Sequence, residues 1–183
     1  KFPNRIKTID FITKEFKSEI YFINSKNDLK NSELLKKKII FCLHKNVMKK
    51  TSYKLNFKEN LNLLGQSCFN LSCPGVVMPL SHHLIEGIKV GSIPITNCNK
   101  LLIPSLTNEN SLIYSNLDEL KDKIIEAFNM KEDEIIFKRS KVREFYKLNL
   151  SPDSFKKNFK KIIAYNKSKI ICCDDHRSIE RMI

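Results

Sequence analysis

The chain has no tryptophan and only four glycines among its 183 residues. It also lacks the interleaved basic and aromatic residues of an RNA-binding sheet, and its Phe and Tyr residues sit mostly in apolar, core-like contexts. Nucleic acid is therefore the weakest partner class. No apolar run reaches the ~18 residues that a membrane-spanning helix needs. None of the six cysteines (Cys42, Cys68, Cys73, Cys98, Cys172, Cys173) forms a C-x-x-C pair, and the last two are adjacent. That is poor geometry for a disulfide framework, so a reduced, cytosolic chain is expected. The run Cys172–Cys173–Asp174–Asp175–His176 matches no zinc spacing and reads more simply as a strand end entering a helix cap, so no metal is expected. No signal peptide opens the chain and it begins at Lys1 rather than Met, which leads us to expect a piece of something longer.

What is present describes one soluble α/β domain. The length suits a single well-buried core. The charge is unusual: 33 Lys+Arg against 20 Asp+Glu leaves +13. It reads either as a Lys-rich solvated surface or as attraction for an anionic ligand or an acidic membrane surface.

Strand-like and helix-like segments alternate. Glu19–Ile23, Lys38–Leu43, Cys68–Ser72, Ser92–Ile95 and Ser111–Tyr114 are short apolar runs. Helical spacing marks Asn56–Leu64, stopping at Gly65, then Ser81–Val90, then a helix that starts at Asn116 with acidic residues in its first turn. Further helices are expected over about Glu132–Leu148 and over Pro152–Tyr165, with Pro in the first turn. A last strand at Ile170–Cys172 and a helix at Asp174–Met182 complete the pattern. Apolar Ile6, Ile9, Ile12 and Phe16 make a helix plausible in Lys1–Ser18, though its place in the fold is open. Such alternation predicts a Rossmann-like parallel sheet with helices on both faces, binding ligands outside the carboxyl ends of its strands.

The most informative stretch runs from Cys73 to Ile95, because it holds three of the four glycines, Gly75, Gly87 and Gly91. A chain sparing with glycine uses it where backbone turns tightly or comes close to something. At about 100° per residue, His82, Glu86 and Lys89 share one face of the helix, opposite Leu84, Ile85 and Ile88. Packing the apolar face on the sheet turns His82 and Glu86 toward the crevice. Ser81 is placed to cap the first turn, and Gly87, beside His83, lets a neighbouring element approach. A helix N-terminus after a Pro–Gly turn suits a pyrophosphate, with a carboxylate beyond it for a sugar hydroxyl. The plainer alternative is a solvated face carrying a Glu86–Lys89 ion pair.

Ser67–Cys–Phe–Asn–Leu–Ser–Cys–Pro–Gly75, then His82–x–x–x–Glu86, then Gly91–Ser–Ile–Pro–Ile95, resembles the C-terminal, donor-binding half of GT-B-fold glycosyltransferases. The likeness is nearest to the exostosin-like and lipopolysaccharide- or capsule-type branches. Looser matches extend it over roughly residues 38–160: the strand from Leu106 to Tyr114 entering Asn116–Leu120, and Glu144–Phe–Tyr146 followed by Ser151–Phe155. The resemblance implies a sugar transferred from a nucleoside-diphosphate sugar to a glycan or lipid-linked acceptor, with no metal required. Glu86 would then bond the ribose. Backbone at Pro74–Gly75 and the helix start at Ser81–His82 would hold the pyrophosphate, with His82 as the first stabilising side chain and His83 as the second. His44 and Lys45 would add donors, an assignment that rests on topology. Many retaining members carry a glutamate eight positions before the ribose-binding one; Met78 stands here, which leans toward an inverting enzyme.

The general base of such an enzyme usually comes from the other domain. A missing N-terminal domain or partner chain is therefore expected, together with peripheral contact at an anionic membrane. The expected division is 1–18 as an unplaced segment or linker, 19–165 as the nucleotide-sugar-binding domain, and 166–183 as a strand and helix packing back on it. The alternative is a non-catalytic nucleotide- or partner-binding module with a degenerate transferase fold.

Overall fold

The computed structural model describes residues 5–31, 38–41, 55–73 and 80–164. In chain order the elements are α1 (Arg5–Glu15), β1 (Ile20–Phe22), β2 (Ile39–Phe41), α2 (Phe57–Gln66), β3 (Phe69–Ser72) and α3 (His82–Val90). Then follow β4 (Ile93–Thr96), β5 (Leu112–Ile113), α4 (Leu117–Asn129), α5 (Glu132–Phe145), a π turn at Tyr146–Leu150, and α6 (Pro152–Ala164). All the paired strands are parallel. β1 pairs with β2 from Ile20↔Ile39 to Phe22↔Phe41, while β3, β4 and β5 form a separate three-stranded sheet in that order. The architecture is α/β, as the alternation predicts. The expected strand and helix at 170–182 lie outside the described residues, as does the end of the Lys38–Leu43 strand.

β4 is the middle strand, and all four of its residues are buried. Its residues reach two cores: Ile93 packs with Leu84 and Ile88 of α3 and with Val142 and Phe145 of α5, and Ile95 packs with Ile12 and Phe16 from the N-terminal segment and with Leu120, Ile124 and Ala127 of α4. Adjacent residues of β3 mark the two sides of the sheet: Asn70 meets Gly87 of α3, while Leu71 packs on the cluster of α1 and α4. Helices therefore cover both faces, and segment 1–18 contributes α1 to the core. Strands β3 to β5 lie in sequence order, so right-handed crossovers must all pass over one face. α3 and the loop bearing Leu102 and Leu106 accordingly join one cluster, together with Ile93. The opposite face is left to α1 and α4.

Proline in a middle strand ordinarily costs a ladder bond. Here the Ile93 N–H donates to the Cys68 carbonyl at 2.8 Å, on the β3 side. Alternation along a parallel ladder then aims the Pro94 nitrogen at the β5 side, where pairing begins only at Ile95↔Leu112. The missing donor therefore costs nothing.

Helix ends follow local chemistry in part. Asn56 caps α2 and Asn116 caps α4, each accepting from the N–H of the Glu three residues on, both at 2.9 Å. Gly65 does not terminate α2, which continues to Gln66. The last carbonyls are taken by α5 instead: the Arg139 guanidinium donates to Gly65 O at 3.0 Å and to Ser67 O at 3.4 Å. A cation at the negative end of a helix stabilises the extra turn. Gly91 does end α3, at φ 79°, a left-handed conformation that favours glycine. The helix expected over Glu132–Leu148 is regular to Phe145 and then widens into the π turn.

Candidate functional site

The described parts of β2 and β3 share no ladder, and a cleft of about 440 Å³ lies between them. Its walls include Arg5, Asn60, Asn70, Cys73, His83 and Glu86. From β3 the lining runs through Phe69, Asn70 and Leu71 to Cys73, so the cleft follows that strand to its carboxyl end. α1, α2 and α3 each precede a strand, and their first turns reach this cleft. Arg5, Phe57 and His83, from those three helix starts, all line the cleft. Helix starts carry unsatisfied N–H groups and partial positive charge, a setting that favours anions.

The α3 residues divide differently from their expected faces. His82 is exposed and lies away from the cleft, whereas His83 and Glu86 are half-buried and line it. Ser81 stands at the N-cap, but its hydroxyl makes no capping bond and is buried without a partner among the described residues. The Glu86–Lys89 ion pair does not form. Glu86 Oε2 instead accepts a 2.7 Å hydrogen bond from Asn60 Nδ2 of α2, and the Lys89 ammonium sits 5.9 Å from the Phe57 ring centroid. Tertiary contact with α2 supplies both groups with partners and so displaces the local pair. Pro74, Gly75, Met78, His44 and Lys45 lie outside the described residues.

Gly87 is needed because another element comes close, and that element is β3. A Cβ at position 87 would lie 2.5 Å from Asn70 Oδ1. Asn70 is 4% exposed; its Nδ2 donates to Ser72 Oγ at 3.0 Å, and its Oδ1 has no partner among the described residues. A buried acceptor without a partner is costly, and this one lies against Gly87 rather than open to the cleft. Arg5, Asn60 and Asn70 do not follow from sequence motifs. The one signal was Gly87, which announces a close neighbour without naming it.

Burial governs the titrating groups here. The His83 imidazole is held below its ordinary pKa, first by burial and then by the Arg5 charge. It is therefore neutral near pH 7, able to donate from one ring nitrogen and accept at the other. Burial likewise pushes the Cys73 and Cys98 thiols up to about 11 and raises the Tyr114 phenol. These three follow β3, β4 and β5 at the sheet's carboxyl edge, as protonated, poorly nucleophilic groups. Among the described residues no group of three or more His, Cys, Asp or Glu is placed to hold a metal, and no helix is long and apolar enough to cross a membrane.

No protein-family model, curated protein or solved structure matches the chain.

Proposed function

We propose that the cleft binds a nucleoside-diphosphate sugar and that the chain is the donor-binding half of a GT-B-type glycosyltransferase. One observation carries this reading: Glu86, oriented by Asn60, shares a cleft wall with Arg5 and His83 at the carboxyl end of a parallel strand. A nucleoside diphosphate presents sugar hydroxyls that donate and phosphates that accept. Glu86 supplies the acceptor for the first. The Arg5 guanidinium, the His83 ring N–H and the helix starts supply donors for the second. The volume is within the ~300–1,000 Å³ usual for small-molecule sites.

In transfer, the acceptor hydroxyl attacks the anomeric carbon and the nucleoside diphosphate leaves with added negative charge. Donors already aimed at the phosphates stabilise that charge as it develops. The attacking hydroxyl's proton needs a base, and Glu86 is the only carboxylate lining the cleft among the described residues. Since Glu86 is given to the sugar in this reading, the base comes from another domain or chain. This part alone then binds donor without transferring sugar, which is also the behaviour of a non-catalytic nucleotide-binding module.

Calorimetric titration with UDP and GDP, beside Glu86→Ala, tests the reading. Saturable binding of one nucleotide, weakened at least about tenfold in the variant, is expected. Absence of binding by both nucleotides would count against it.

A further inference from the structure

A second cavity, of about 430 Å³, enters the gap between β2 and β3 from the side of α1 and α4 and reaches Lys38 and Cys68, which precede those strands. Its walls come from both strands and from α1, α2 and α4, and they are mostly apolar, with Lys38, Gln66 and Ser67 as the polar side chains among the described residues. Ser67, one of the few polar residues there, is already engaged: its hydroxyl donates to Leu63 O at 2.9 Å and its carbonyl accepts from Arg139. The lining therefore asks for apolar surface. Lys38 is its single charged residue among the described residues. The Lys38 Nζ stands 4.8 Å from the Phe128 ring centroid, and Phe16 meets that ring edge-on at 5.8 Å between centroids. The cation–π contact places the ammonium at the cavity mouth, where Lys38 is exposed. No carboxylate pairs with it among the described residues.

A mostly apolar chamber with one cation at its edge matches one chemistry. The geometry points to this cavity as a binding site for a single-chain anionic amphiphile. The chain lies between β2 and β3, and the carboxylate or phosphate head pairs with Lys38. Lys38 is not among the cleft residues, but Ile40, Phe41, Leu63, Ser67, Phe69 and Leu71 line both spaces.

The test titrates the full chain with dodecanoate, dodecyl phosphate, dodecanol and dodecyltrimethylammonium. The two anions bind at least about tenfold more tightly than the alcohol, the gain of a charge-assisted head contact, and the cation binds least. Lys38→Glu reverses the order of anion and cation. Ala127→Leu, which places a larger side chain in the wall, removes binding while the circular dichroism stays unchanged. Dodecanoate also slows maleimide labelling of Cys68, which lines the cavity. That readout uses the natural chain and stands even where a variant does not fold. Equal affinity for anionic and cationic amphiphiles, or undiminished Cys68 labelling at saturating dodecanoate, overturns the proposal. If anion and alcohol bind equally, the chamber is apolar only and the role of Lys38 is wrong.

Discussion

Asn60 and Glu86, 26 residues apart, are joined by a 2.7 Å hydrogen bond that ties α2 to α3 at the cleft wall. The carboxylate is thereby oriented by a partner outside its own helix. Asn60→Ala leaves a half-buried carboxylate short of one donor. The expected loss is about 1–2 kcal/mol of stability, toward the lower end of the cost for a charged hydrogen bond. Urea denaturation measures it, and nucleotide titration of the same variant should show weakened affinity. Unchanged stability would mean that water replaces the amide without cost.

Gly87→Ala drives a methyl group to 2.5 Å from Asn70 Oδ1, against a side chain that is itself buried and bonded to Ser72. Neither helix nor strand has slack there, so overpacking should cost about 1–3 kcal/mol. Helix propensity alone predicts the opposite sign, because Ala is the better helix former. Thermal or chemical denaturation decides between the two.

His83 makes stability depend on pH. Its pKa is lowered on folding from the ordinary 6.5. Between that value and the folded one, the unfolded chain binds more protons, so stability falls as pH falls through this window. His83→Gln removes the contribution and should flatten the acid limb of a plot of stability against pH. A phosphate beside the ring would raise its pKa again, so nucleotide binding near pH 6 should take up protons. Calorimetry in buffers of different ionisation enthalpy detects that uptake.

Tyr114 is 1% exposed and its hydroxyl has no partner among the described residues. Tyr114→Phe keeps the ring in the core beside Leu112 and Leu120 and removes a buried polar group. The variant should match or exceed the natural chain in stability, by up to about 1 kcal/mol. A loss of more than that would reveal a hydrogen bond to the phenol.

Much of the fold was legible because it follows from patterns a few residues long. The helix start at Asn116 with its acidic first turn and the apolar run Ser92–Ile95 each marked an element locally, found at Leu117–Asn129 and Ile93–Thr96. Where the reading went astray, a distant group had changed a local balance. Gly65 looked like a helix stop until Arg139 took its carbonyl. Glu86–Lys89 looked like an ion pair until Asn60 and Phe57 supplied other partners. Ser81 occupies the N-cap position, yet its hydroxyl does not cap.

The sequence by itself determined an α/β chain, its helix and strand order, and the need for a small residue at position 87. Periodicity, capping and backbone freedom act over one or two turns and require no knowledge of what lies opposite. Only the tertiary structure decided that Arg5, Asn60, Asn70 and Glu86 meet at one cleft, and that His83 rather than His82 faces it. Those residues come from three helices and a strand, and what brings them together is the burial of two apolar faces of one sheet, a long-range term that no short pattern carries.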